Sequence, residues 1–304
     1  MTVKDSIKKV RLTFLESGDT DPGAVEGETL VYTLPTVDLG GGASAIGRVY
    51  ADATVLPDPT PELWAPSLAG GTKGWIDASF TANIADTSNT VTQVNNRVED
   101  ANHFVAGGAP LTNTRTVNGL NVIDFDGVDD VLHKSSHVMP AASLQFVQVM
   151  VFDALPSQPF IRAGGTSRFT ANALGTGPTR PNVDMFGAGN TGTGFAGVIT
   201  QDVVVIMRWL FDAVSGGWKM FVNGEEVFGV TDGYTTPFND EVVTYMGNAP
   251  VGGNYANGAL CEAFIIIGAD DELGKKHEGY SRAKWAGTLV AGHPYETDPP
   301  VVGA

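Results

Sequence analysis

Short apolar runs of strand length, separated by turn residues, fill the chain from about Trp64 to its end. In several of these runs apolar and polar residues alternate with a period of two, which is the pattern of a half-buried antiparallel strand. Many short strands joined by turns predict an all-β fold, a β-sandwich. The clearest runs are NVIDFDG, LQFVQVMVFDAL, VVVIMRWLFDA, WKMFVNGEEVFGV, EVVTYMG and ALCEAFIIIG.

Two local signals define a hairpin and a helix within this pattern. The pair Asn223-Gly224 stands between two alternating runs, and a type I′ hairpin turn needs positive φ at both of its central positions. The segment ADDELGKKHEGYSRAKWAG has early acids that suit a helix N-terminus and later basic residues that suit its C-terminus. We therefore predict one helix, capped by Asp270 or Asp271, attached to the sandwich.

The first 60 residues form a separate segment. They contain three candidate strands, in VRLTFLESGD, TLVYTL and GRVYADATVL. Three prolines at alternate positions follow, Pro57, Pro59 and Pro61, and favour an extended linker. The predicted organisation is a β-rich N-terminal segment over residues 1–60 and a sandwich over residues 61–304. The first segment is too small to hold a large core alone, so we expect it to need a partner surface or its own oligomer.

The net charge of the chain narrows the classes of partner that it can bind. The formal net charge is -16 with only 18 Lys and Arg residues, which argues against nucleic acid and against an anionic membrane surface. The N-terminus lacks the apolar core of a signal peptide, and no stretch is long and apolar enough for membrane insertion. Neutral glycans, cations and basic protein surfaces remain as partners. The single cysteine, Cys261, lies in an apolar run and is predicted to be a small buried hydrophobe.

Three blocks of the chain resemble the concanavalin-A-like (laminin-G-like) jelly-roll domains of bacteriophage structural and host-binding proteins. The first runs from GWIDAS to VNGLNVIDFDGVDDVL, the second is GGWKMFVNGEEV, and the third runs from MGNAPVGGNYANGALCEAFIIIG to KWAGTLVAGHPY. Together they cover most of residues 75–295, in the order that the family shows. The resemblance implies a jelly-roll sandwich on the surface of a virion or phage-like particle. The Gly-, Thr- and Asn-rich region 164–197 and residues 1–60 lie outside it.

Catalysis is not expected from the carboxylates. Glycan hydrolysis needs two carboxylates facing one groove, and glycanases of this fold usually carry them on one strand as Glu-x-x-x-Glu or Glu-x-Asp-x-x-Glu. No such arrangement occurs here. Glu262 is the one candidate in a core strand, and we expect an isolated glutamate there to face solvent or to have a single partner. A polysaccharide depolymerase is therefore the minority interpretation.

Four aspartates lie close together in IDFDGVDDVL. A cluster of this kind beside a glycine turn can hold calcium, although the spacing is not that of an EF-hand loop. The structural alternative, which we favour, is an Asp-Gly turn whose side chains accept backbone N–H groups. No other cofactor is expected. The candidate metal ligands are Asp126, Asp129 and Asp130.

Glycan-binding sites on sandwiches combine an aromatic platform with polar groups that hold the sugar hydroxyls. Loop aromatics with such neighbours occur late in the chain. The alternative for each ring is that it closes one end of the sandwich beneath its own loop. The predicted glycan-binding rim comprises Tyr234, Asn254, Tyr255 and Phe195.

These observations predict a surface protein of a virion: a fibre, spike, tail component or capsid decoration. Residues 1–60 would attach to other virion proteins, and the sandwich would contact host cell-surface polysaccharide. The alternative is a structural decoration or tail module that binds no ligand. No heptad or β-helix repeat indicates an oligomeric state, so a homo-oligomer stays open.

Overall fold

The computed structural model describes residues 10–16, 28–33, 37–40, 43–52, 63–98, 103–134, 143–154, 159–163, 169–173, 181–185, 199–231, 244–246 and 256–302. The chain forms two compact units, Met1–Glu62 with Val301–Gly303, and Leu63–Pro300 with Ala304. The proline-rich segment 57–62 lies outside the described residues. No helix in the described part of the chain is long and apolar enough to cross a membrane.

The first unit contains a four-stranded antiparallel sheet. Its long strand β4 pairs with each of the other three. Three strands overlap the predicted ones, and β3 was not predicted. The strands are β1 (Val10–Glu16), β2 (Glu28–Thr33), β3 (Val37–Gly40) and β4 (Ala43–Asp52).

In its described residues the second unit contains two large antiparallel sheets, a two-stranded ribbon and one α-helix, which confirms the predicted jelly-roll β-sandwich with a C-terminal helix. The seven-stranded sheet has the order β11-β21-β13-β17-β18-β19, with β5 also paired to β21. Its strands are β5 (Thr72–Asp77), β11 (Ile123–Asp126), β13 (Leu144–Phe152), β17 (Val204–Asp212), β18 (Gly217–Val222), β19 (Glu225–Thr231) and β21 (Asn257–Ile267).

The second sheet has eight strands, in the order β16-β15-β14-β20-β12-β8-β7-β6. Two of them, β15 and β16, come from the Gly-, Thr- and Asn-rich region and lie at one edge. The strands are β6 (Ile84–Thr87), β7 (Thr90–Val94), β8 (Phe104–Gly107), β12 (Val131–Lys134), β14 (Pro159–Ala163), β15 (Phe169–Ala173), β16 (Pro181–Met185) and β20 (Thr244–Met246). A small ribbon joins β9 (Thr116–Val117) to β10 (Leu120–Asn121).

Two apolar cores lie on opposite faces of the seven-stranded sheet. Strand β13 shows this directly, because Phe146 and Met150 join the core between the sheets while Val147 and Val149 join the core beneath the helix. Strand β13 is therefore buried on both faces. The helix α1 (Asp271–Trp285) packs mainly on β13, β17 and β21 and supplies the second cover.

Both local predictions are confirmed. The Asp270 side chain accepts hydrogen bonds from the backbone N–H groups of Glu272 and Leu273, so Asp270 is the N-cap of α1. Asn223 and Gly224 have φ of 51° and 80° and connect β18 to β19 through a two-residue turn. This is the backbone conformation that a type I′ hairpin requires.

Candidate functional site

The predicted glycan-binding rim, Tyr234, Asn254, Tyr255 and Phe195, lies outside the described residues. It stays a prediction. The described residues contain three other arrangements of polar side chains: an aspartate turn, a buried ion network and an open cleft.

The aspartate turn follows β11. Asp126, Asp129 and Asp130 each offer one carboxylate oxygen, and these atoms all lie within 4.8 Å of one another. Asp130 is buried and accepts hydrogen bonds from the backbone N–H groups of Ala109 and Asp126 at 2.6 and 2.9 Å. Gly127 allows the turn, since its φ is +77°.

These contacts bear on both interpretations of the turn. Asp126 accepts the N–H of Val128 at 2.7 Å, as the Asp-Gly turn interpretation requires. Burial and the neighbouring charges of Asp126 and Asp129 raise the pKa of Asp130, despite its two backbone hydrogen bonds. A bound cation would relieve that repulsion, and Asp126 and Asp129 are exposed, so the set suits calcium if backbone carbonyls and water complete the shell.

The buried network centres on Glu262, and here one sequence prediction is wrong. Glu262 is neither solvent-facing nor singly paired: it is fully buried and accepts three hydrogen bonds at 2.8 Å. The donors are the indole Nε1 atoms of Trp75 and Trp285 and the Nζ of Lys284. The cause is a β-bulge, because Glu262 pairs with Val149 while Leu260 pairs with Met150, leaving one extra residue between them.

That extra residue is Cys261, and the bulge places Cys261 and Glu262 both on the helix side of the sheet. Cys261 is fully buried within the core beneath the helix, as predicted, and burial raises the pKa of its thiol. Without the bulge, the period of two would place one of these neighbours between the sheets.

Asp77 of β5 extends the network. Its carboxylate accepts from Lys284 at 2.6 Å, from the Ser79 hydroxyl at 2.6 Å and from Arg97. Burial raises the pKa of Asp77, but the charge and hydrogen bond of Lys284, together with Ser79 and Arg97, outweigh burial and lower it overall. Lys284 thus joins Asp77 to Glu262 across 185 residues of sequence and fastens the helix to two strands.

Glu262 cannot act on a polysaccharide in this position, because its side chain has no solvent exposure and both oxygens are occupied. A general acid or base must come within hydrogen-bonding distance of its substrate. The residue singled out from the sequence as the catalytic candidate is therefore structural.

Burial raises the pKa of Glu262 to about 7, with Lys284 opposing the shift. The folded state holds the proton of the Glu262 carboxyl more tightly than the unfolded chain does. The stability that this proton contributes is therefore fully present below pH 4.5 and is lost as the pH rises through about 7. Burial lowers the pKa of His277 to about 4, so His277 contributes stability above pH 6.5 that is lost as the pH falls toward 4. The two titrations oppose each other between these limits.

We predict that Glu262→Gln separates the titration of Glu262 from that of His277. Between about pH 5 and about pH 8, the free energy of unfolding of the wild type minus that of Glu262→Gln should fall by of order 1–3 kcal/mol. The reason is that glutamine resembles the protonated carboxyl but does not titrate, so only the wild type loses the contribution of Glu262 as the pH rises. Urea unfolding at several pH values measures this. Glu225→Gln, at an exposed position of β19, is the matched control. A pH-independent difference for Glu262→Gln would contradict the raised pKa.

The third arrangement is a cleft of about 420 Å³ beside the start of the helix. Its floor follows one cross-strand row, in which Leu210 of β17 pairs with Lys219 of β18 and Lys219 pairs with Gly229 of β19. This row faces the helix side, because the alternate residues Trp209, Trp218 and Met220 belong to the core between the sheets.

Acidic groups form the margins of the cleft. Asp212 ends β17, Glu226 lies on β19, and Asp271 opens the helix. The Ser215 hydroxyl and the Val214 N–H bind Asp212 and lower its pKa, so this carboxylate is charged near neutral pH. Sequence reasoning missed the site: Lys219 and Glu226 lie in the block GGWKMFVNGEEV, but no local pattern shows that Asp212 and Asp271 lie beside them.

Comparisons with known proteins assign no family. No family model matches the chain, and no curated protein matches it. Several solved structures are similar in fold. Domain 4 of an extracellular GH43 arabinanase from Geobacillus stearothermophilus, in complex with arabinotriose, is 15% identical with a TM-score of 0.47, over 65% of this chain and 93% of that one.

Two further similar structures come from sialidases. A CBM40 domain of the Ruminococcus gnavus IT-sialidase, bound to α2,3 sialyllactose, is 12% identical with a TM-score of 0.39, over 50% of this chain and 93% of that one. The Trypanosoma rangeli sialidase, in complex with sialic acid, is 11% identical with a TM-score of 0.48, over 86% of this chain and 46% of that one. These similar structures are sugar-binding β-sandwich or glycoside-hydrolase-related proteins, and at such scores they assign no ligand to this chain.

Proposed function

We propose that the chain is a surface protein of a phage or phage-like particle whose β-sandwich binds host cell-surface polysaccharide. One observation supports carrying the sequence resemblance this far: its three blocks, which lie apart along the chain, meet in one sheet. Strands β5 and β11 of the first block both pair with β21 of the third, and the hairpin β18–β19 belongs to the same sheet. Blocks that resemble one family and also pack together are expected of a real shared fold.

The binding test uses the full chain. Glycan arrays and whole host cells are probed with and without chelator, and reducing ends are assayed in the same samples. Saturable binding without release of reducing ends is the expected result. Absence of binding in every condition would favour the ligand-free structural module, and release of reducing ends would favour a depolymerase.

We assign the proposed attachment to other virion proteins to residues 1–60, because they belong to a compact unit that has a sheet of its own. We expect that deleting residues 1–60 abolishes incorporation into particles and leaves binding to host polysaccharide intact. Particle incorporation is measured by co-sedimentation. Incorporation of the shortened chain at the level of the full chain would disprove the attachment role.

Calcium binding at the aspartate turn is a separate prediction. We expect calcium to raise the melting temperature of the protein and Asp129→Ala to remove that rise, because Asp129 would lose a ligand oxygen. Asp129 suits the test since it is exposed, whereas the Asp130 oxygens hold backbone N–H groups in the turn. Thermal unfolding with calcium, magnesium or chelator measures the effect. Equal melting temperatures in all three would leave the turn with a structural role alone.

A further inference from the structure

We infer that the cleft between the start of α1 and strands β18 and β19 binds an uncharged sugar unit, as part of the host polysaccharide. This inference rests on the proposed function and deepens it, since it assigns a place and a class of sugar. The cleft is distinct from the predicted rim at Tyr234, Asn254 and Tyr255.

The cleft exists because the helix covers only part of its sheet. Helix α1 packs mainly on β13, β17 and β21, and the sheet continues beyond it to β18 and then to the last strand, β19. Gly229 keeps the uncovered part open: a Cβ there would lie 2.9 Å from Oε1 of Glu226. The volume of about 420 Å³ falls in the range of roughly 300–1,000 Å³ that is typical of small-molecule sites.

The margin of the cleft at Asp271 is held in place before any ligand arrives. Asp271 contacts the fully buried Arg208 at 2.8 Å, and Arg208 stacks on the Phe221 ring at 3.7 Å. Glu226 contacts Lys219 at 2.8 Å on the neighbouring strand. A site whose polar groups are already fixed loses less conformational entropy on binding.

The polar groups suit hydroxyl donors. Glu226 and Asp271 keep acceptor capacity beyond their ion-pair partners, because an ionised carboxylate offers about four lone-pair sites. The aliphatic stem of Lys219 stands between Leu210 and Gly229 in the floor, and the C–H face of a sugar ring can lie on it. Carboxylates around an aliphatic surface are a combination that suits a neutral sugar.

Charge disfavours acidic sugars and gives little to cationic ones. The lining contains three carboxylates, Asp212, Glu226 and Asp271, against one ammonium, Lys219. A sugar that carries a carboxylate or sulfate would meet like charge at Asp212, whose hydrogen-bond donors, Ser143, Val214 and Ser215, are uncharged. A cationic ligand would compete with cations already present, because Lys219 neutralises Glu226 and Lys275 neutralises Asp271.

Gly229→Val in the full chain tests the location. Valine fills the cleft and suits an exposed edge strand, so folding should be preserved. Gly70→Val is the matched control, since Gly70 is exposed with no atom within 4 Å of a built Cβ. With the neutral polysaccharide that the wild type binds as the probe, we expect Gly229→Val to weaken binding at least about tenfold and Gly70→Val to leave it unchanged. Equal binding by both variants would overturn the inference and leave the proposed function standing.

Glu226→Gln tests the class of sugar. Removing one carboxylate should raise the affinity for an acidic oligosaccharide relative to a neutral one by about fivefold or more. An unchanged ratio, or a wild type that prefers acidic oligosaccharides, would overturn the choice of an uncharged sugar. A wild type that binds no polysaccharide would instead refute the proposed function itself.

Discussion

Replacing Glu262 with alanine is expected to lower the free energy of unfolding by about 3–5 kcal/mol, which is the usual cost of breaking a buried ion pair by removing one partner. The substitution removes the acceptor of two indole N–H groups and one of the two carboxylate partners of Lys284, in a region where Glu262 itself has no solvent exposure. Each orphaned buried donor keeps its desolvation penalty without the compensating hydrogen bond.

Equilibrium urea unfolding measures this loss, and Glu226→Ala is the control. Glu226 also pairs with a lysine on the same sheet, but both side chains are about half exposed, at 43% and 51%. An exposed pair of this kind contributes about 0–1 kcal/mol. If Glu262→Ala costs no more than Glu226→Ala, the network does not hold the helix on the sheet.

A second large loss, of about 3–5 kcal/mol, is expected for Gly258→Ala, from backbone strain and steric conflict together. Gly258 has φ of +141°, and an added Cβ would lie 2.1 Å from the carbonyl oxygen of Val151. That oxygen is backbone in the neighbouring strand β13, where Gly258 pairs with Phe152, so it cannot move aside as a flexible side chain could.

Gly268→Ala is the matched substitution just beyond the other end of β21. Gly268 has φ of +106°, but no atom lies within 4 Å of its built Cβ. It should therefore show the strain alone, about 1–3 kcal/mol. Thermal and urea unfolding of the two variants separate the contributions, and equal losses at both positions would rule out the contact with Val151 as the cause.

The parts of the fold that the sequence predicted are those set by neighbouring residues. Asp270 caps the helix because its side chain reaches N–H groups two and three residues ahead. Asn223 and Gly224 form their turn because both tolerate positive φ.

The sites depended on contacts between distant residues. Glu262 looked isolated in its strand, yet Trp75, its first indole donor, lies 187 residues away. The bulge that turns Glu262 toward the helix depends on the register between β21 and β13, for which no residue of either strand gives a local signal. The cleft combines residues of three strands with the first turn of the helix.

By itself the sequence determined the class of fold, the hairpin, the helix and its cap, because the period of two and the capping and turn residues act over a few neighbouring positions. Tertiary structure decided which face of each strand meets the second sheet, which meets the helix, and which stays open. Those faces depend on strand register and on how far the helix reaches across its sheet. Glu262 therefore became a buried acceptor, and the edge strands beyond the helix became a cleft.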